Sequence, residues 1–167
     1  MTAYSATKHS AAVGWFTTHR RAIMASMALY LGALAVLATG VVHIQQYYVA
    51  DYSTIPTIGT LFFLNFVSAV VIAVGLLVPV RRIAGRYSDA IRGVFAVGGI
   101  GLGVTSLVAL FVSESSSLFG FAEFGYRTPI KLAIVAEVAA VVLLVIYLAA
   151  NGTGIRAIRE RSTPTPT

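Results

Sequence analysis

The sequence predicts an all-α integral membrane protein, a four-helix bundle with both termini in the cytoplasm, and three observations carry that reading. Of 167 residues, 57% are hydrophobic and only 11% charged, with a mean hydropathy of +0.85, which lies outside the range of a water-soluble domain. Four runs, about 22–48, 57–80, 93–112 and 129–150, each meet the roughly 20 apolar residues needed to cross a hydrocarbon core about 30 Å thick. Ten of the twelve Lys and Arg residues fall in three segments: Lys8, Arg20 and Arg21 before the first run; Arg81, Arg82, Arg86 and Arg92 between the second and third; and Arg156, Arg159 and Arg161 after the fourth. With four spans these segments share one side, and the excess of positive charge on cytoplasmic loops makes that side the cytoplasm.

Taken in order, residues 1–21 read as a cytoplasmic tail in which Trp15 and Phe16 suit the interface. The apolar run from Ala22 to Ala50 contains no Asp, Glu, Lys or Arg. It outlasts the roughly 7–15 residue core of a signal peptide, so it is expected to be a retained span. A loop over about 49–56 leads to the second span, which opens on Pro56, a residue suited to a helix's first turn because its missing N–H is not needed there. The third span holds GGIGLG, whose Gly99 and Gly103 form a GxxxG pair continued by Ser106, a pattern for close helix packing. The longest connection, about 113–128, contains LFGFAEFGY and reads either as a re-entrant or interfacial helix or as a loop with its aromatics among headgroups. Residues 151–167 end in RSTPTPT and read as a disordered cytoplasmic tail. YSTIP before the second span and YRTP before the fourth form a faint echo, consistent with a two-plus-two repeat or with shared helix-start chemistry.

Glu137 stands inside the fourth span, PIKLAIVAEVAAVVLLVIYLAA, roughly 12 Å from its Pro129 end at about 1.5 Å per residue. An acid at that depth should face other helices, a water pocket or a partner side chain. Residues on one helical face recur every three or four positions, and Glu137 shares its face with Ala133, Ala136 and Ala140. His43 shares one with Ala28, Gly32, Ala35 and Thr39, and Asn65 lies beside Ser68 and Ala69. Such small-residue stripes allow helices to approach closely in a membrane. Counted from Tyr48, Pro56 and Pro129, His43, Asn65 and Glu137 lie roughly 8, 13 and 12 Å deep, on the same side of the bilayer. The candidate ligand-binding residues are therefore Glu137, His43, Asn65, Gln46, Tyr47 and Glu123, with Asp51 and Glu114 near the mouth. The cluster reads either as glue between helices or as a pocket for a small polar molecule, a cation, a quinone head or protons.

Other chemistries find little support. The chain has no cysteine, which excludes disulfides, thiolate metal sites and CxxC redox chemistry. His43, Glu137 and Glu123 supply too few ligands at recognisable spacing for a metal site. His43 is the only histidine in a span, since His9 and His19 precede the first one, which argues against bis-histidine haem. No catalytic triad or phosphate loop is present, so the sequence leans away from an enzyme and identifies no cofactor. The pI near 10.0 reflects arginines at helix ends rather than a nucleic-acid surface.

GALAVLATGVVHI, then TIPTIGTLFFLNFVSAVVIAVGLLVPVRR, then LFGFAEF before the Glu-bearing last span resembles the small four-span membrane proteins common in high-GC actinobacteria. More distantly it is similar to the DoxX-like group, over about residues 28–150. The resemblance implies a multi-pass protein of the bacterial plasma (inner) membrane. The DoxX-like group further implies a link to redox or sulfur metabolism, although this chain has no cysteine to carry such chemistry. Three functions are expected to compete: small-ligand or proton binding, in a stand-alone protein or an accessory subunit; quinone binding, with His43 and Glu137 on the ring oxygens; and a purely structural role. The partners would be the bilayer, further copies of the chain or a larger membrane complex, with no nucleic acid.

Overall fold

A computed structural model describes residues 3–116 and 127–161, with side chains over 19–79, 82–116 and 127–152. Four long helices dominate: α1 (Ala3–Val49), α2 (Pro56–Leu77), α4 (Ser88–Ser115) and α5 (Thr128–Arg161). A five-residue α3 (Val80–Ala84) and a 3-10 turn over Gly85–Tyr87 connect α2 to α4, and a second 3-10 turn over Tyr52–Thr54 connects α1 to α2. Among the described residues there is no strand. Four stretches of the described residues are long and apolar enough to cross a membrane: His19–Val49 in α1, Pro56–Leu77 in α2, Arg82–Ser115, which runs from α3 through α4, and Thr128–Gly152 in α5.

The helices overrun the apolar spans. α1 starts at Ala3 rather than near Ala22, and α5 continues to Arg161 rather than ending near Ala150. The expected tails are thus helical over 3–21 and 151–161, while 162–167 lies outside the described residues. Hydropathy marks where a span can end, whereas a helix stops only where its backbone is interrupted. Once nucleated it extends cheaply, and neither flanking segment holds a proline until Pro164.

Consecutive long helices are neighbours, and α5 returns to lie against α1, so α1, α2, α4 and α5 close a ring in which α1 and α4 meet only diagonally. This is an up-down-up-down bundle, the form that short connections favour. The core is built on small residues. Leu144 of α5 is fully buried between Gly32 of α1 and Gly99 of α4, where a Cβ would approach its methyl carbons to 2.8 and 2.6 Å. At Gly75 a Cβ would fall 2.5 Å from the Phe95 ring, which therefore lies flat against α2, and at Gly40 it would meet Ala69 at 2.7 Å. Large apolar side chains such as Met27, Leu34, Leu64, Val97, Val135 and Val142 point outward, each 50% or more exposed apart from its neighbours on the other helices.

The connection between α1 and α2 folds back onto the bundle. Asp51 adopts a left-handed conformation (φ 57°), which reverses the chain, and Thr54 secures the turn by donating its backbone N–H and its hydroxyl to Asp51 O at 3.0 and 2.7 Å. Gly59 lets α2 slide beneath it, since a Cβ there would lie 2.6 Å from Tyr52 O. The turn thus presses Tyr52, 7% exposed, down among the helix ends.

Candidate functional site

A partly enclosed cavity of about 140 Å³ lies at the end of the bundle where α1 leaves, α2 and α5 begin, and α4 ends. A water molecule needs roughly 10–15 Å³ by the same measure, so the space suits several waters or a small organic group. His43 and Gln46 enter it from α1, Asn65 and Phe62 from α2, Ser106 and Ser113 from α4, and Glu137 from α5, with Tyr52 above. The lining is otherwise apolar, and His43, Glu137, Asn65 and Ser106 come together in one part of it.

The geometry of the polar end follows from hydrogen-bonding capacity. His43 Nδ1 lies 2.9 Å from Thr39 O. A carbonyl only accepts, so Nδ1 carries the hydrogen, and Nε2 presents either a lone pair or a second N–H to the cavity. Opposite it, 3.9 Å away, is Glu137 Oε1. That separation is too long for a direct hydrogen bond but leaves both atoms facing one space. If the two residues hold one proton between them, the pair has no net charge wherever the proton sits.

Asn65 Nδ2 donates to Ser106 Oγ at 2.6 Å, bridging α2 and α4, and the Ser106 hydroxyl also faces the Glu137 carboxyl. Two acceptors are left over: Asn65 Oδ1 and Glu137 Oε2 are buried and have no hydrogen-bond partner among the described residues. Glu137 as a whole is only 2% exposed. Unpaired buried acceptors are costly, and here they fall in the same cavity.

An aromatic wall orders the imidazole. Phe62 packs on His43 with centroids 4.9 Å apart, and Tyr52 meets Phe62 edge-on at 4.8 Å. The Tyr52 hydroxyl in turn accepts from the Arg127 guanidinium at 2.7 Å, tying the α1–α2 turn to the start of α5. A cation thereby stands beside the turn, outside the cavity lining.

The structure brings four of the six sequence-predicted residues together: His43, Asn65, Glu137 and Gln46 all line the cavity. Tyr47 does not. One position on from Gln46, it is turned about 100° around the helix, and its ring lies against Tyr48 and Phe63 at 4.9 and 6.0 Å. Glu123 lies outside the described residues, as does the stretch 117–126 in which a re-entrant helix was weighed. Asp51 and Glu114 are not among the described lining residues. No group of three His, Cys, Asp or Glu residues placed to hold a metal occurs among the described residues.

Sequence reasoning missed Ser106 as a site residue, placing it with the packing glycines, and gave Tyr52 no part in the site. Ser106 was within reach: it precedes the end of α4 by nine residues, just as Asn65 follows Pro56 by nine, so the two are level in antiparallel helices. The position of Tyr52 depends on the left-handed Asp51 and the approach of Gly59, for which the sequence gives no comparable sign. Compared with known proteins, the chain matches no family model, no curated protein and no solved structure.

Proposed function

We propose that this chain is a multi-pass inner-membrane protein with both termini in the cytoplasm, and that its cavity binds a small neutral ligand from the external half of the membrane. In this reading His43 and Glu137 take one hydrogen-bonding group of the ligand between them, while Asn65 Oδ1 accepts from another. The protein acts as a binding or proton-handling component, alone or as an accessory subunit, with no catalytic group of its own.

One observation carries the reading: two buried acceptors, Glu137 Oε2 and Asn65 Oδ1, lack partners in one cavity large enough for a third molecule. A purely structural cluster would be expected to satisfy its own members, since each unsatisfied group costs about 1–3 kcal/mol. The basic segments at the opposite end of the bundle support the orientation, and the outward-facing apolar side chains suit a lipid surroundings. A quinone head, bound as its quinol so that a hydroxyl donates to Asn65 Oδ1, is a specific form of the same reading, favoured by the Phe62 ring beside His43 and by the DoxX-like resemblance.

The test is direct. Protein extracted from its own membranes is analysed by native mass spectrometry, organic extraction and visible absorption, alongside Glu137→Gln and His43→Ala. A small molecule should be retained by the wild type and depleted in both variants, with folding preserved. Equal recovery from all three, or a wild type free of any such molecule, would sink the proposal.

A further inference from the structure

We infer that the ligand of this cavity is a membrane-dissolved amphiphile, with a neutral hydroxyl head and an apolar tail, and that it enters sideways through a portal between α2 and α4. This rests on the cavity being a ligand site, as proposed above.

The burial of the lining residues locates the portal. At the end nearest the connections, Gln46, Tyr52, Ser113 and Ile130 are 5–8% exposed, so the way in along the bundle axis is covered. Among the described lining residues only Leu61 is exposed, at 43%. It stands one turn toward that end from Asn65, and the spacing Leu61, Asn65, Ile72 keeps one helical face. That face looks at α4: Asn65 bonds Ser106, and a Cβ at Gly98 or Gly99 would contact Ile72 at 3.7 and 3.4 Å. The face toward α1 is a different one, carrying Phe62 against His43 and Ala69 against Gly40.

The α2–α4 seam is therefore closed in its lower part by Gly75 against Phe95 and by Ile72 against the glycines, and pinned at mid-height by the Asn65–Ser106 bond. Above that bond it opens beside Leu61. Leu110, on the α4 side, also lines the cavity. The portal's lips are thus apolar and face the hydrocarbon, while the hydrogen-bonding atoms lie behind them. A water-borne polar solute would have to cross lipid to use this route. A molecule already in the bilayer would slide its head past Leu61 to His43 and Glu137 and leave its tail along the seam. The described lining holds no Lys, Arg or Asp, and its two ionisable groups of opposite type, His43 and Glu137, face each other, so no unpaired charge is left to balance a charged head, and the head is neutral.

The test uses the full chain in phosphatidylcholine vesicles with two photoreactive probes: a hexadecanol carrying a diazirine near its hydroxyl, and a water-soluble butanediol carrying the same group. Adducts are mapped by mass spectrometry, and unlabelled hexadecanol serves as competitor. Hexadecanol should label Phe62, Ala109 or Ala133 inside the cavity in a saturable way. Leu61→Trp or Leu110→Trp, which fill the portal from either lip, should abolish that labelling. Val135→Trp, on an exposed face of α5, should leave it intact. Hexadecanol labelling that survives both portal variants, or cavity labelling by butanediol alone, would overturn the portal and leave the ligand site standing. Absence of cavity labelling by both probes in the wild type would instead remove the ligand site, and the portal with it.

Discussion

The double-mutant cycle between His43 and Glu137 separates a ligand site from interhelical glue by magnitude. The perturbations are His43→Phe, Glu137→Leu and the two combined, each keeping apolar volume where the polar group was. An ionised pair 3.9 Å apart would attract by about 4 kcal/mol at an effective dielectric of about 20. A hydrogen bond between membrane helices is worth about 0.6 kcal/mol on average and about 1.7 at most. A neutral pair beyond hydrogen-bond reach should couple by less than about 0.5 kcal/mol. The ligand reading requires this last value, because the facing atoms are reserved for a third molecule. Asn65 and Ser106, in direct contact at 2.6 Å, provide the internal comparison and should couple by about 0.6–1.7 kcal/mol. Reversible unfolding in mixed detergent micelles supplies the free energies. A His43–Glu137 coupling of about 2 kcal/mol or more in ligand-free protein would show that the pair holds the helices together, and the ligand argument would fail.

The other predictions concern the bundle and its orientation. Because the chain has no cysteine, single cysteines report topology cleanly: Ser53→Cys should react with a membrane-impermeant maleimide in intact cells, and Tyr87→Cys only after lysis. The reverse pattern would invert the proposed orientation. Gly59→Ala should push the Tyr52 turn off α2, because the new Cβ meets backbone at 2.6 Å that cannot yield as a side chain would. Loss of the Arg127–Tyr52 bond should then lower ligand retention by about tenfold, read by the same extraction. Leu144→Ala should lower unfolding free energy by about 2 kcal/mol through the cavity it leaves without changing ligand retention, since Leu144 is not among the lining residues.

The architecture was legible because a membrane leaves a chain few options: apolar length gives the spans and the alternation of basic segments gives the expected topology. Part of the site was legible for the same reason. A depth count along helices that must run antiparallel places His43, Asn65 and Glu137 at one level before any packing is known. What escaped was rotation and connection. Tyr47 and Gln46 are equivalent by depth, and only the turn of α1 sends Gln46 into the cavity and Tyr47 onto Phe63. Tyr52 gains its role from a backbone reversal at Asp51, and the helical course of 3–21 and 151–161 beyond the apolar spans is invisible to hydropathy because charge does not break a helix.

The distribution of glycine explains why a cavity forms at one end and not the other. Gly32, Gly75 and Gly99 stand at helix contacts in the half of the bundle away from the α1–α2 turn, and Gly40 and Gly103 near its middle. Beyond Gly40 in α1 and Gly103 in α4 there is no further glycine to the ends of those helices, and Gly59 of α2 packs on the turn instead of on another helix. Close approach is therefore confined to the half that surrounds Leu144, where dispersion contacts are dense. In the other half, side chains of ordinary size keep the helices apart, and the gap that remains is where the imidazole, amide and carboxyl groups stand. If that gap exists to hold a ligand, Ser106→Leu should fill it and exclude the ligand while leaving the glycine-packed half intact. The substitution also breaks the bond to Asn65 and should cost about 0.6–1.7 kcal/mol whether the cluster holds a ligand or serves stability, so ligand retention is the measurement that decides: a ligand recovered undiminished from the variant would refute the ligand reading.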